Sequence, residues 1–490
     1  MTGPAAPAAP VSREQLLAGT PPDRAAEPAG VAREVAQSGR RLVVLDDDPT
    51  GTQTVAGLPV LTRWAGDDLR WAFGQQTAAF FVLTNSRSLG PGEMARVNRE
   101  VVAAVAAAAR AGGNGFVIVS RSDSTLRGHY PAETDVLADA LRECTGRAPD
   151  GVVIVPAYLE AGRLTVDSVH WMQGPGGFIP VGQSEFARDP AFGYTSSDLR
   201  GYVAEKTGGR WAADQVARVT LADIRAGGPP RVAEILAGLA AGRPAVVDAV
   251  TDDDLRLVVL GALAAEASGA ALLYRAGPSF ARARAGLGAV PPVTGRELAE
   301  LTQPAGRPGL VVVGSHVPRT TRQLEHLLAL DGVARAELSV PAVLTAGTRD
   351  GAVTAAAGEV AAALGGGADV ALCTSRELVS TAGQEGNLEI ARTVSAALVD
   401  VVRAVTARVR PAWIIGKGGI TSSDLATRAL GITRAWVRGP VLPGIISLWD
   451  PVPAGAGAGA PVPVPFVVFA GNVGDDRALA RTVTRLRGRE

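Results

Sequence analysis

The stretch Val43-Val44-Leu45-Asp46-Asp47-Asp48-Pro49-Thr50-Gly51-Thr52-Gln53 decides the fold. A short apolar run ends abruptly in three acids and a Pro-Thr-Gly turn. Adjacent carboxylates repel one another, so a strand end keeps them only beside compensation: a polyol, a bound cation or arginines. Open α/β sheets place their ligands in the crevice at the carboxyl ends of the strands, and this cluster reads as a site there. Asp, Thr and Gly also make ordinary solvated turns, and the segment by itself allows both readings.

Outward from this stretch, apolar runs alternate with helical patterns. Strands are expected at Arg41–Leu45, Ala78–Leu83, Gly115–Ser120, Val152–Pro156, Ala245–Asp248 and Ala271–Tyr274. Helices are expected at Pro91–Ala111, Pro131–Glu143, Val232–Ala241 and Asp253–Ala267. Strands separated by helices of this length indicate a parallel sheet. Residues 1–39 form an N-terminal extension, Ala/Pro-rich and disordered at its start, where Ser12-Arg13-Glu14-Gln15 has the form of a capping box. Gly277 to Pro308 carries Gly, Pro and Arg with weak periodicity and holds the domain boundary, dividing the chain into 40–285, a linker 286–308, and 309–490. The second unit has strands expected at Gly309–Gly314, Ala368–Thr374, Ala412–Ile415 and Val464–Phe469. Its helices are expected at Thr320–Leu330, Ile390–Val409, Ser422–Leu430 and Asp476–Arg485. Pro453–Pro463 is low-complexity and reads as a surface loop. The fold class is α/β: two α/β domains with mostly parallel sheets.

Composition narrows the function classes. The 490 residues are 47% hydrophobic and 20% charged, with a formal net charge of zero. No global field favours nucleic acid or an anionic membrane. Cys144 and Cys373 cannot make a disulfide framework, and a reduced cytoplasmic setting fits them. No stretch approaches the roughly 18–20 uncharged residues of a membrane span, and Met1 to Pro10 lacks the pattern of a secretory signal. Lys206 and Lys417 are the only lysines among 48 basic side chains. A lysine in such an arginine-rich chain is a choice, because a point charge and a planar fork do not interchange at a phosphate site.

Polar loops follow several strands. Ser120-Arg121-Ser122-Asp123-Ser124-Thr125-Leu126-Arg127-Gly128 sets two guanidiniums around a carboxylate and several hydroxyls, a set that suits a hydroxylated anion. Leu83-Thr84-Asn85-Ser86-Arg87-Ser88 brings Arg87 to the same crevice if the strands are neighbours, and Pro156 to Arg163 fits the series. The second half ends its strands differently: Gly314-Ser315-His316, Thr374-Ser375, Gly416-Lys417-Gly418-Gly419-Ile420-Thr421-Ser422, and Gly471-Asn472-Val473-Gly474-Asp475. Glycines let backbone amides approach phosphate oxygens, and a following helix start offers free N–H groups. A flexible turn is the plainer reading of Gly-Lys-Gly-Gly. No Walker A or GxGxxG pattern occurs. The four histidines, His129, His170, His316 and His326, lack metal-ligand spacing, and no metal site is expected.

With these residues in order, the chain resembles the four-carbon acid sugar kinase family, formerly known by a domain-of-unknown-function label. The residues that carry the resemblance are Asp47-Asp48-Pro49-Thr50-Gly51, Thr84-Asn85-Ser86-Arg87, Asp123 to Gly128, Pro156-Ala157 with Gly162-Arg163, Gly314-Ser315, Lys417 to Ser422 and Gly471 to Gly474. It covers nearly everything from about Arg40 onward. The resemblance implies ATP-dependent phosphorylation of threonate, erythronate or a 3-oxo-tetronate. It also implies an N-terminal sugar-acid domain, a C-terminal nucleotide domain and an active site in the cleft between them. Asp47, Arg87, Arg121, Ser122, Asp123, Ser124, Arg127 and Arg163 would bind the sugar acid, with Asp47 or Asp123 as the catalytic base. Ser315, Lys417, Gly418, Gly419, Thr421, Ser422, Gly471, Asn472 and Gly474 would hold ATP, accompanied by Mg²⁺. Arg121 stands where the family commonly has Lys, and Pro49 where it often has an apolar residue. The expected partners are the sugar acid and ATP, with no nucleic acid and no membrane; a homodimer is compatible. The rival reading is a non-catalytic sensor of a sugar acid or nucleotide, which needs one pocket instead of two.

Overall fold

The computed structural model describes residues 9–302, 306–314, 318–375, 384–453, 463–471 and 473–488. The chain divides into two compact units, one of Met1–Thr54 with Arg63–Ala289, the other of Val55–Thr62 with Val290–Glu490.

The first unit is built on seven parallel strands in the order Ala79–Leu83, Arg40–Asp46, Gly115–Arg121, Leu272–Ala276, Gly151–Val155, Arg243–Val247 and Ala217–Val219. These segments are nearly continuous apolar runs. Phe80, Phe81, Val43, Val44, Ile118 and Val119 are all buried, as expected where helices cover both faces of a parallel sheet. The helix Pro91–Gly112 starts with proline in its first turn and stops at Gly113, which takes φ +65°. Val97, Val101 and Val105, four residues apart, form its buried stripe. After Arg40–Asp46 the chain moves to one side to make Ala79–Leu83, then crosses back to make Gly115–Arg121. The direction of winding therefore reverses between Asp46 and Arg121, which are paired in register. Such a reversal, at the strand ends, is the usual ligand position of such sheets.

A small antiparallel sheet, Arg163–Val166, Val169–Gly174 and Gly177–Pro180, lies outside the sequence expectation. Its first turn is Asp167-Ser168, both with positive φ (50° and 68°), the hairpin geometry that matches strand twist. The Asp248 carboxylate accepts the N–H groups of Asp167 (2.9 Å), Ser168 (2.8 Å) and Leu221 (3.2 Å) and so fixes this turn from outside the hairpin. No Asn-Gly or Asp-Gly pair announces the turn, because the stabilising group comes from 80 residues away.

In the second unit five parallel strands, Val333–Leu338, Asp369–Thr374, Leu310–Val313, Ile414–Lys417 and Phe466–Phe469, are extended by three antiparallel ones. Those three are Ile446–Pro451, Arg434–Pro440 and Leu58–Leu61. Leu58–Leu61 comes from the N-terminal part of the chain, and Val60 faces Ala435 across the ladder. The core is built around Trp413, Val311, Ile415, Phe469, Leu327 and Val483. Here the winding reverses between Leu310–Val313 and Ile414–Lys417, so Gly314 and Gly418 stand at the second switch point.

Two expectations need correction. Gly277 to Pro308 is not irregular: it contains the helices Pro278–Arg284 and Gly295–Leu301. All seven residues of the first are buried, including Arg282 and Arg284. Arg282 pairs with Glu160 and Asp252, and Arg284 with Glu266, so the arginines of this weakly periodic stretch form internal ion pairs. The second has a capping box of Thr294 and Glu297 and buries Leu298 in the core of the second unit. The helix expected over Ser422–Leu430 is an α-helix over Gly419–Asp424 followed by a π turn over Leu425–Ala429. The capping box of Ser12 and Gln15 is present, and most of the Pro453–Pro463 run lies outside the described residues.

Trp413 is 1% exposed, and its ring fills the space where a side chain on Gly309 would stand. Trp413→Ala is expected to destabilise the second unit by about 3–5 kcal/mol, read as a lower urea midpoint.

Candidate active site

At the first switch point a tight group of charges gathers on the ends of neighbouring strands. Asp46 ends the strand Arg40–Asp46, and Asp47 and Asp48 follow it. Arg121 ends the next strand, and Arg87 lies in the short turn after Ala79–Leu83. Arg121 donates through Nε to Asp46 Oδ1 and through Nη2 to the Asp48 carbonyl, while its Nη1 lies 3.4 Å from Asp47 Oδ1. Arg87 pairs with Asp48 through Nη2, and its Nη1 stands 3.9 Å from Asp47 and 3.7 Å from Asp123. The acids are thus held by guanidiniums from two other strands, which meets the repulsion posed by the sequence.

The acids sit in different environments. Asp123 accepts Arg127 Nε (2.6 Å) and the Thr125 hydroxyl (2.5 Å). Burial raises its affinity for a proton, but Arg127, Arg87, Arg163 and the hydroxyl outweigh that and hold it well below the usual carboxylate range. Burial also acts on Asp48, where Arg87, Arg121 and Thr50 overcome it and lower the pKa. Asp47 is 2% exposed, and neither of its oxygens has a hydrogen-bond partner. Burial, only partly offset by Arg87 and Arg121, pushes it up to about 6. Burial likewise raises Asp46 to about 7 against the pull of Arg121. Carboxylates a few residues apart with pKa values driven in opposite directions suit different chemical roles.

Ser122 follows Arg121 and donates its backbone N–H to the Ala276 carbonyl (3.0 Å). Ser124 accepts Arg163 Nη1 at 2.8 Å on its hydroxyl and His170 Nε2 at 2.8 Å on its carbonyl. Thr165 occupies the other ring nitrogen of His170, and burial lowers the imidazole to about 4, so a neutral ring locks the loop. Arg163 lies over the rings of Tyr158 and Phe186, and Arg127 over Phe186. The first-unit residues named from the sequence therefore converge. Asp46 belongs to the acid cluster read as a site, whereas roles for Glu133, His170 and Arg275 were not foreseen. The signal for Arg275 was present: a charged residue inside the apolar run Leu272-Leu273-Tyr274-Arg275-Ala276.

In the second unit Gly314 allows no side chain, since a Cβ would lie 2.5 Å from Thr421 Oγ1. Gly418 has φ +112° and precedes Gly419–Asp424; first-turn N–H groups of a helix have no partner within it. Thr421 is buried, and the Ser422 hydroxyl donates to the Gly416 carbonyl (2.7 Å). Lys417 is fully buried. Its Nζ donates to the carbonyls of Ala470 (2.7 Å) and Gly471 (3.4 Å) and lies 4.0 Å from the centre of the Phe469 ring. Burial, with Arg319 nearby, lowers it to about 7. Lys417 thus ties down the turn beginning at Gly471, which Gln323 also holds through the carbonyls of Val473 and Asp475. Gly474 has φ +76°, and a Cβ there would meet Ala478 at 2.5 Å. Ser315 and Asn472 lie outside the described residues. Among the described residues no group of three or more His, Cys, Asp or Glu is placed to hold a metal ion, and no helix is long and apolar enough to cross a membrane.

Comparison with known proteins defines the class. Residues 42–284 match a sugar-binding N-terminal domain and residues 310–479 a nucleotide-binding C-terminal domain. These are the two domains of the four-carbon acid sugar kinases, and the chain belongs to that family. A curated relative, the D-erythronate kinase of Heliobacterium modesticaldum, is 30% identical over 256 residues, 51% of each chain. The chain thus aligns with about half the length of this relative. Among solved structures, a protein of Salmonella typhimurium LT2 aligns over 90% of this chain and 98% of its own, with a TM-score of 0.60 and 18% identity. A Haemophilus influenzae protein from a domain family of unknown function aligns over 91% and 100%, with a TM-score of 0.57 and 18% identity. At this identity both speak for the fold.

A Cβ on Gly51 would fall 2.3 Å from Arg121 Nε and from Asp46 Oδ1. Gly51→Ala is therefore expected to force the Asp46–Arg121 pair apart, lowering the Tm of the first unit while far-UV circular dichroism is retained.

Proposed function

We propose that the chain is an ATP-dependent kinase of a four-carbon sugar acid, with D-erythronate the first acceptor to test and threonate and 3-oxo-tetronates next. The observation that carries this reading is the Asp47 carboxylate, buried at a strand-end crevice with both oxygens unpartnered. A buried carboxylate without hydrogen bonds is costly. An acceptor hydroxyl placed on it supplies the missing donor. The sugar-binding and nucleotide-binding domain matches support the pairing of an acceptor in the first unit with ATP in the second, and the name of the curated relative supports the choice of acid.

In this mechanism Asp47 orients the attacking hydroxyl and takes its proton. Between the two acids weighed from the sequence, Asp47 is the better base. Its raised pKa lies near operating pH, where a base is effective, whereas Asp123 is stabilised as an anion by three arginines. Phosphoryl transfer depends on positioning and charge neutralisation more than on covalent chemistry. Arg87 and Arg121 keep Asp47 in place, and Asp123 orders Arg127. In the second unit the backbone around Gly314, Gly418 and Gly474 gives phosphate oxygens close approach, with Lys417 positioning the third of these turns. Mg²⁺ bound to ATP would supply neutralisation of the phosphate charge.

Three measurements test the proposal. Asp47→Asn is expected to lower kcat about 10²–10⁴-fold, with thermal stability kept. The kcat/KM of the unmodified protein should fall as pH drops below about 6, because the base must be ionised and its pKa is raised. A limb near the ordinary Asp value of about 4 would sink the assignment. Thermal shift separates the kinase from a sensor: Mg-ATP and D-erythronate should each raise the Tm on their own, whereas a sensor responds to one.

A further inference from the structure

We infer that Arg275 is the carboxylate anchor of the acceptor site, gripping the anionic end of the sugar acid while the hydroxyl to be phosphorylated lies on Asp47. The inference rests on the kinase reading and adds the residue that selects an acid over a neutral polyol.

The charges of the crevice make the case. The Arg121 fork is taken by Asp46 and the Asp48 backbone. Arg87 pairs with Asp48, and Arg127 Nε with Asp123. Arg163 gives one terminal nitrogen to Ser124. Arg275 differs. It is 2% exposed, yet neither Nη1 nor Nη2 makes a hydrogen bond of ordinary geometry. Its guanidinium is held by looser contacts, among them the Tyr202 hydroxyl, which gives its own proton to the Leu126 carbonyl (2.9 Å). The Tyr130 ring lies beneath it, 5.1 Å away, and Glu133 Oε2 stands 4.0 Å from Nη1. Glu133 is itself fixed by the Ser86 hydroxyl (2.7 Å) and the Asn98 amide (3.2 Å). Two terminal nitrogens in one plane match the two oxygens of a carboxylate.

Position agrees with chemistry. Arg275 lies near the carboxyl end of Leu272–Ala276, opposite Ser120 on the strand that ends in Arg121. A Cβ on Gly128 would lie 3.7 Å from Arg275 Nη2 and 3.7 Å from Asp47 Oδ2. A guanidinium whose terminal nitrogens and a carboxylate whose oxygens make no hydrogen bond thus flank one glycine, whose φ of +121° disfavours any larger residue. A four-carbon acid has its carboxylate at one end and hydroxyls along the rest, so one molecule can satisfy both groups.

The experiment compares D-erythronate with its primary amide in ATP-consumption kinetics, for the unmodified protein, Arg275→Lys and Arg275→Gln. If the unmodified protein phosphorylates no four-carbon acid, the kinase reading itself falls. If it does, the anchor predicts a preference for the acid over the amide of about tenfold or more in kcat/KM. Arg275→Lys should raise the KM for the acid about tenfold, with the KM for ATP within about twofold, and Arg275→Gln should abolish the preference. A merely structural arginine would lower rates for acid and amide alike and leave their ratio unchanged. That result, or a preference below about threefold in the unmodified protein, overturns the anchor even where Arg275→Gln fails to fold.

Discussion

Three successive carboxylates at the end of one buried strand would push each other into water if nothing opposed them. The opposition comes chiefly from Arg121, paired with Asp46 in the neighbouring strand and reaching the backbone of Asp48. A buried ion pair of this kind is weak evidence for stability, because desolvation offsets much of the attraction. It is better understood as a positioning device. With Asp46 and Asp48 held, the Asp47 carboxylate is left between two guanidiniums without a hydrogen bond. Gly51 belongs to the same arrangement, since any side chain there would occupy the place of the pair.

The two units use different strand orders but share one device, a reversal of winding next to the first parallel strand. In each unit the polar or glycine-rich loops gather at that reversal. The first loop cluster is built from side chains: acids, arginines and hydroxyls. The second uses backbone, and its side chains mostly serve the backbone. Lys417 illustrates this. Read from the sequence it is a phosphate ligand, but its ammonium is turned toward the carbonyls of Ala470 and Gly471. Its lowered pKa follows from the same burial.

What was legible in the sequence had local causes. The parallel strands show as apolar runs, and the Asp47, Arg87 and Asp123 loops show as abrupt changes from apolar to charged residues. What was hidden depended on partners distant in sequence. The hairpin at Asp167-Ser168 is held by Asp248, and the helix Pro278–Arg284 is disguised by arginines whose acids lie at 160, 252 and 266. Arg275 was overlooked because one charge inside an apolar run looks like noise until its neighbours are known. The difference between Asp47 and Asp123 could not be read at all. Both are acids after a strand, and only burial and the count of donors separate them.

The strand Leu58–Leu61 carries a consequence for how this protein can be taken apart. It sits beside Arg434–Pro440, although the other strands of the second unit are made from residues after 309. The backbone therefore passes between the units three times, after Thr54, after Thr62 and after Ala289. No single cut in the coding sequence yields both halves whole. A fragment starting at Val290 would leave the Arg434–Pro440 ladder bare, an invitation to self-association. Swapping one half for that of a relative must carry the eight residues Val55–Thr62 along with the C-terminal piece.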